Sequence, residues 1–155
     1  MNPVRQLKNL AAAVVSLAVV VSLAMDEHLV AEVEQQHQLL ATWIGSSAQP
    51  AVLDALRAAH TADFSMVTVD GHVLGRQAAL DGLAGAANSR PGLRILISDV
   101  TVAAELVDAV LVGFLETHVQ HGDTSSRRVT ALLRSERNAP HGLRWRHVHE
   151  TPIPQ

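Results

Sequence analysis

The spacing of apolar residues predicts helices in the first half of the chain. From Asp26 to Ile44 apolar residues recur every three or four positions, as in a helix that buries one side. A second helix begins near Pro50 and places Leu53 and Leu56 on its inner side. A third runs from Gly75 to Asn88, before a stretch rich in turn-forming residues.

Alternating and β-branched residues predict strands elsewhere. Asp63 to Val69 alternates and runs into Asp70-Gly71, which is typical of a hairpin turn, with a short return strand at His72 to Leu74. Long strands are then predicted at Leu93 to Val102, Ala109 to Gln120, Ser125 to Glu136 and Gly142 to Thr151. Because helices and meandering strands are segregated, the predicted fold is α+β, a curved antiparallel sheet with about three N-terminal helices on its concave face.

The final strand carries the side chains that most suggest chemistry. In a regular strand, alternate residues share a face. Trp145, His147, His149 and Thr151 would then lie in one row. An indole, two imidazoles and a hydroxyl in a row suit either the wall of a cavity or a polar core.

Composition narrows the class of protein. The 155 residues are enough for one domain with a real core, and 12 basic against 15 acidic residues give no signal for binding nucleic acid. The absence of Cys excludes disulfides and thiolate chemistry. Nine His residues supply groups that titrate near neutral pH, which makes imidazole the first candidate for acid-base chemistry.

The first 24 residues form a separate segment. Arg5 and Lys8 precede the apolar run Leu10 to Ala24, which is the layout of a secretory signal. Alternatively, Met25 is the true start and the segment is an upstream extension, or the segment is an ordered apolar helix. We therefore expect one domain at residues 25–151 and a tail at 152–155. The protein is exported, with transient membrane contact, if the segment is a signal, and cytoplasmic if Met25 is the start.

Three stretches together resemble the nuclear-transport-factor-2-like (NTF2-like) superfamily, and within it the SnoaL-like branch of small domains. They are residues 63–71, Arg128-Val129-Thr130 and Trp145-Arg146-His147-Val148-His149. The resemblance covers Met25 to about Thr151. It implies a cone of curved sheet closed by helices around a pocket, commonly in a homodimer. The superfamily includes cyclases, isomerases and non-catalytic assembly domains, so the fold does not fix the activity. The chain has no Tyr, so the oxyanion tyrosine of ketosteroid isomerases has no counterpart.

The candidate site takes side chains from neighbouring strands. The predicted catalytic residues are His149, His147 and Glu116, because a neutral imidazole can act as a base and a carboxylate can orient it. Glu116 and Arg128 could equally form a structural cross-strand pair. No cofactor is expected and no metal site, because the ligand spacing around His147 and His149 is loose. The remaining predicted pocket residues are Phe64, Phe114, His118, Arg128, Thr130 and Trp145.

Three functions remain open from the sequence. The first is a homodimeric domain that binds a small hydrophobic or anionic molecule. The second is a small cyclase, isomerase or hydrolase that uses His-assisted proton transfer, with Arg128 stabilising an anionic intermediate. The third is a non-catalytic interaction or assembly module. The enzyme requires His147 or His149 to point into the cavity, whereas a cavity filled by core side chains would favour the module.

Overall fold

The structure, a computed structural model, describes residues 26–154. The predicted signal-like segment, Leu10 to Ala24, lies outside the described residues. Helix α1 is described over residues 26–45, and it is followed by α2 (Pro50–Ala58) and α3 (Arg76–Gly85). Among these helices none has the length and apolar character needed to cross a membrane.

Six strands form one sheet in the order β2-β1-β6-β5-β4-β3. Neighbouring strands are antiparallel except β1 and β6, which are parallel. Gly71, with φ of 82°, completes the predicted turn between β1 and β2 in a conformation that favours glycine. The predicted α+β fold is confirmed. The strands are β1 (His60–Val67), β2 (Val73–Gly75), β3 (Arg94–Glu105), β4 (Ala109–Gln120), β5 (Asp123–Ser135) and β6 (Leu143–Pro152).

The main core lies between α1 and the inner face of the sheet. Leu29 and Val33 of α1 are buried in one cluster with Phe114 of β4 and Trp145 of β6. A second cluster joins the helices to one another around Trp43, whose Nε1–H donates to the Leu83 carbonyl at 2.7 Å. The N-terminal part of α1 therefore packs on the sheet, whereas its C-terminal part packs mainly on the other two helices.

A buried carboxylate fastens α1 to β6. Glu32 is 5% exposed; its Oε1 accepts a hydrogen bond from Trp145 Nε1 at 2.9 Å, and its Oε2 lies 2.9 Å from His141 Nδ1. His141 belongs to a short 3-10 helix (Pro140–Gly142) just before β6. Both carboxylate oxygens are satisfied, as a buried charge requires. We call this arrangement the Glu32 clamp.

A β-bulge in β6 changes which side chains face the helices. On β5, Leu133 lies opposite Trp145 and Leu132 lies opposite His147, so Arg146 is an extra residue. Beyond the bulge, Val148 faces inward opposite the fully buried Ala131. The regular alternation predicted for this strand is wrong, because one additional residue exchanges the two faces of everything that follows it.

Candidate functional site

A cavity of about 330 Å³ lies between the inner face of the sheet and the helices. Most of its wall is apolar and comes from strands β1, β4, β5 and β6 together with α1 and α3. Alternation along β4 sends every second side chain inward, which brings its residues into this wall. The apolar wall includes Leu40, Phe64, Met66, Phe114, Val129 and Trp145.

The structure brings five of the nine predicted site residues to this cavity. Glu116 and His118 provide polar groups, and the other three are Phe64, Phe114 and Trp145. Their assignment to catalysis or ligand binding stays a prediction.

The other four predicted residues lie on the outer face of the sheet. Arg128 is exposed and its Nη1 lies 3.1 Å from Asp99 Oδ2, while Thr130 pairs in register with His149. His147 Nδ1 lies 2.9 Å from Ser65 Oγ, on the outer side of β1. The expectation that these residues line the cavity is therefore wrong, because of the bulge in β6 and the register of β5.

Glu116 is the centre of the polar part of the cavity. Its Oε1 lies 2.5 Å from His118 Nε2, and its Oε2 lies 3.4 Å from His37 Nε2. Arg90 Nη1 donates to His118 Nδ1 at 2.9 Å. Because a guanidinium only donates, His118 Nδ1 must accept, and the ring carries its proton on Nε2. Arg90 thus fixes the tautomer in which His118 donates to Glu116.

His37 completes the environment of Glu116. His37 Nδ1 lies 2.7 Å from the Val33 carbonyl, so this nitrogen donates and Nε2 faces the carboxylate. Burial alone would raise the pKa of Glu116, but the hydrogen bonds from His118 and His37 outweigh it and hold this pKa well below its usual range. Glu116 is therefore a buried anion at neutral pH.

Arg127 connects this carboxylate to a second one. It lies opposite Glu116 in the β4–β5 register, and its Nη1 donates to Glu150 Oε2 at 3.2 Å. The Val69 backbone N–H donates to the same oxygen at 3.2 Å. Burial raises the pKa of Glu150, and the attraction of Arg127 opposes that rise. The charges along this wall alternate in sign, which limits the cost of burying them.

A neutral pair lies where α1 meets the end of α2. Here His60 Nδ1 donates to the Leu56 carbonyl at 2.6 Å, and burial lowers the pKa of His60, which keeps the ring neutral. Gln36 Nε2 lies 3.5 Å from His60 Nε2, at the limit of a hydrogen bond. The buried Gln36 Oε1 has no hydrogen-bond partner among residues 26–154.

Sequence reasoning missed several residues of this site. Gln36 and His37 lie among polar neighbours, which suggests solvent, yet their spacing from Val33 and Leu40 places them on the buried side of α1. The predicted inward positions of Arg128 and His149 imply the outer face for their neighbours Arg127 and Glu150, and the observed strand register reverses this. In the described part of the chain, no three His, Asp or Glu residues are arranged to hold a metal ion.

Comparison with known proteins identifies the family. A SnoaL-like domain model matches residues 37–151. An NTF2-like protein of unknown function from Pseudomonas aeruginosa is 31% identical, with a TM-score of 0.76, covering 82% of this chain and 99% of that one. A search of curated proteins found none that matches. The predicted resemblance is confirmed.

More distant structures share the fold alone. An NTF2-like protein from Streptomyces avermitilis, proposed to be a dehydratase, is 18% identical with a TM-score of 0.57, over 78% of this chain and 96% of that one. The CaMKII hub of S. rosetta is 12% identical with a TM-score of 0.63, over 82% and 95%. Proteins that share this fold are thus described as having quite different functions.

Proposed function

Because this chain belongs to the SnoaL-like domain family of the NTF2-like superfamily, we propose that it is a domain that binds a small molecule in the cavity between sheet and helices. The observation that carries this proposal is the open volume of about 330 Å³. Ligand sites have about 300 to 1,000 Å³ and combine apolar walls with a few polar groups. Here the apolar wall meets Glu116, Arg127 and the Gln36–His60 pair.

Native mass spectrometry of the purified protein tests this proposal. We expect a retained small molecule that is lost when Ala79→Leu fills part of the cavity, since Ala79 of α3 lines it. The matched control is Ala55→Leu, the same substitution at an exposed position of α2. The proposal fails if no molecule is retained and a panel of small apolar compounds leaves the melting temperature unchanged. The same spectra report whether the predicted homodimer forms.

Proton transfer in the same cavity is the second candidate function, with a different base from the one expected. His147 and His149 lie outside the cavity, whereas His60 lines it with Nε2 free of a proton. A neutral imidazole nitrogen can accept a proton from a bound substrate. Deuterium exchange beside the carbonyl of a bound ketone such as 2-tetralone would measure this activity. We expect exchange in the wild type and its loss in His60→Gln; equal rates in both proteins would exclude His60 as the base.

The interaction module is the weakest of the three functions. Its support is the likeness to a CaMKII hub, which shows the fold alone. The open cavity argues against it, because a purely structural core has few voids larger than a water molecule. An assembly larger than a dimer in the native mass spectrum would favour the module.

A further inference from the structure

The two carboxylates of the cavity differ in how fully their oxygens are occupied. Glu116 has an imidazole partner at each of its oxygens. In Glu150, by contrast, Oε2 accepts from both Arg127 Nη1 and the Val69 backbone N–H, at 3.2 Å each. Within residues 26–154 no group donates a hydrogen bond to Glu150 Oε1. One oxygen of Glu150 is therefore left without a partner.

This free oxygen is open to the cavity. Glu150 Oε1 is not among the buried side-chain atoms that lack a partner in the described part of the chain, so it keeps accessible surface. The whole side chain is 14% exposed, and it points inward from β6, where it lines the cavity. A molecule bound in the cavity can therefore reach this oxygen.

The charge of Glu150 is incompletely compensated. Arg127 is the one Arg or Lys side chain among the described residues that line the cavity, and it lies beside both Glu150 and Glu116. Burial, and to a smaller extent the negative charge of Glu116, raises the pKa of Glu150, although Arg127 opposes the rise. A second positive charge near Oε1 would stabilise the ionised form, because a buried charge is costly unless it is paired.

The chemistry of this oxygen selects the polar group of the ligand. An ionised carboxylate only accepts hydrogen bonds, so a ligand group at Glu150 Oε1 must donate one. A protonated amine donates and also brings a positive charge, and hydrogen bonds between charged groups are roughly twice as strong as neutral ones. An anionic ligand that reached Arg127 would lie close to Glu116 and Glu150, and both carboxylates would repel it.

We infer that the cavity binds an amine, an apolar molecule whose protonated amino group donates a hydrogen bond to Glu150 Oε1. The apolar wall, with Phe64, Phe114 and Trp145, would hold the rest of the molecule. This inference rests on the proposed function and narrows it. The charge of the ligand is opposite in sign to that of the anionic ligand expected from the sequence as one alternative.

Three probes that share one apolar body test the inference. They are 2-(2-naphthyl)ethylamine, 2-(2-naphthyl)ethanol and 2-naphthylacetate, with binding measured by titration calorimetry near neutral pH. An alkylamine with a pKa of about 10 is protonated there, and a carboxylate is ionised. We expect the amine to bind about tenfold more tightly than the alcohol, because its hydrogen bond to Glu150 joins two charged groups. We expect 2-naphthylacetate to bind most weakly.

The variant Glu150→Gln locates the effect. Its amide oxygen can still accept from Arg127 and from the Val69 N–H, which places its NH2 group where the free oxygen was. A hydroxyl accepts as well as donates, so the variant should bind the alcohol as the wild type does, which also shows that it is folded. The preference for the amine should be lost. Glu105→Gln, at an exposed position of β3, is the matched control and should keep the preference.

The outcomes separate this inference from the function on which it rests. Amine binding no tighter than alcohol binding in the wild type, tightest binding of 2-naphthylacetate, or an undiminished preference for the amine in Glu150→Gln would overturn the inference alone. The first two comparisons need no variant, so they test the inference even if Glu150→Gln does not fold. If the wild type binds none of the three probes, both the proposed function and the inference fail.

Discussion

The Glu32 clamp is expected to contribute more to stability than any exposed charge on α1. Glu32→Ala leaves the Trp145 indole N–H without its acceptor in a side chain that is 2% exposed. Stranding a buried donor costs about 1 to 3 kcal/mol. The lost bond to His141 adds less than about 1.5 kcal/mol, because water can replace it at this half-buried imidazole.

We therefore expect Glu32→Ala to lower the free energy of unfolding by about 1 to 4.5 kcal/mol in total. Glu32→Gln should cost at most about 1 kcal/mol, because its amide oxygen can still accept from Trp145. Glu34→Ala is the matched control, since Glu34 is an exposed residue of the same helix. It should change stability by less than about 0.5 kcal/mol.

Equilibrium urea unfolding, followed by tryptophan fluorescence at one protein concentration, measures all three variants. A shift of midpoint at constant slope reports a change in stability rather than in compactness. If Glu32→Ala and Glu34→Ala unfold at the same urea concentration, the clamp adds nothing and the reasoning is refuted. The same holds if Gln at position 32 is as costly as Ala.

Three further predictions concern the faces of the sheet and the pH response. His149→Ala, on the outer face, should retain a small molecule in native mass spectra as the wild type does; loss of that molecule would place His149 at the cavity. Arg127→Met removes the ion-pair partner of Glu150, whose side chain is 14% exposed, and should cost about 2 to 4 kcal/mol in urea unfolding. Exposed Arg128→Met should cost at most about 1 kcal/mol; equal costs would contradict the assigned faces. Because the pKa of His60 is lowered, the unfolded chain binds its proton more readily, and stability should fall as pH drops below about 6.5. His60→Gln should show a smaller slope, because the pKa of His147 is also lowered by burial and contributes the remainder, and a pH series of urea midpoints measures the difference.

The sequence alone was sufficient to predict the helices, strands and turns of the fold. Strand β4 alternates over its whole length, and the Asp70-Gly71 turn occurs where predicted. These features depend on neighbouring residues along the chain, which a single sequence shows directly. For the same reason Glu116 and His118, two residues apart on β4, were correctly expected to share a face.

The site was only partly predictable, because it depends on contacts between distant strands. Arg127 and Arg128 are equivalent in local sequence, and only pairing with β4 decides which faces inward. No turn-forming residue marks the bulge at Arg146 in the sequence. The faces predicted for His149 and Glu150 are therefore the reverse of the observed ones. Helical spacing alone predicts that His37 is buried, but its polar character suggested an exposed side chain.

The bulge also determines where β6 can change in length. Deleting Arg146 would leave Trp145 opposite Leu133 and His147 opposite Leu132, as they are now, so the lining of the cavity would survive the loss of a codon. Deleting Val148 instead would turn His149 inward and Glu150 outward. A deletion at Arg146 thus leaves the lining of the cavity unchanged, whereas a deletion at Val148 replaces the polar chemistry of its wall.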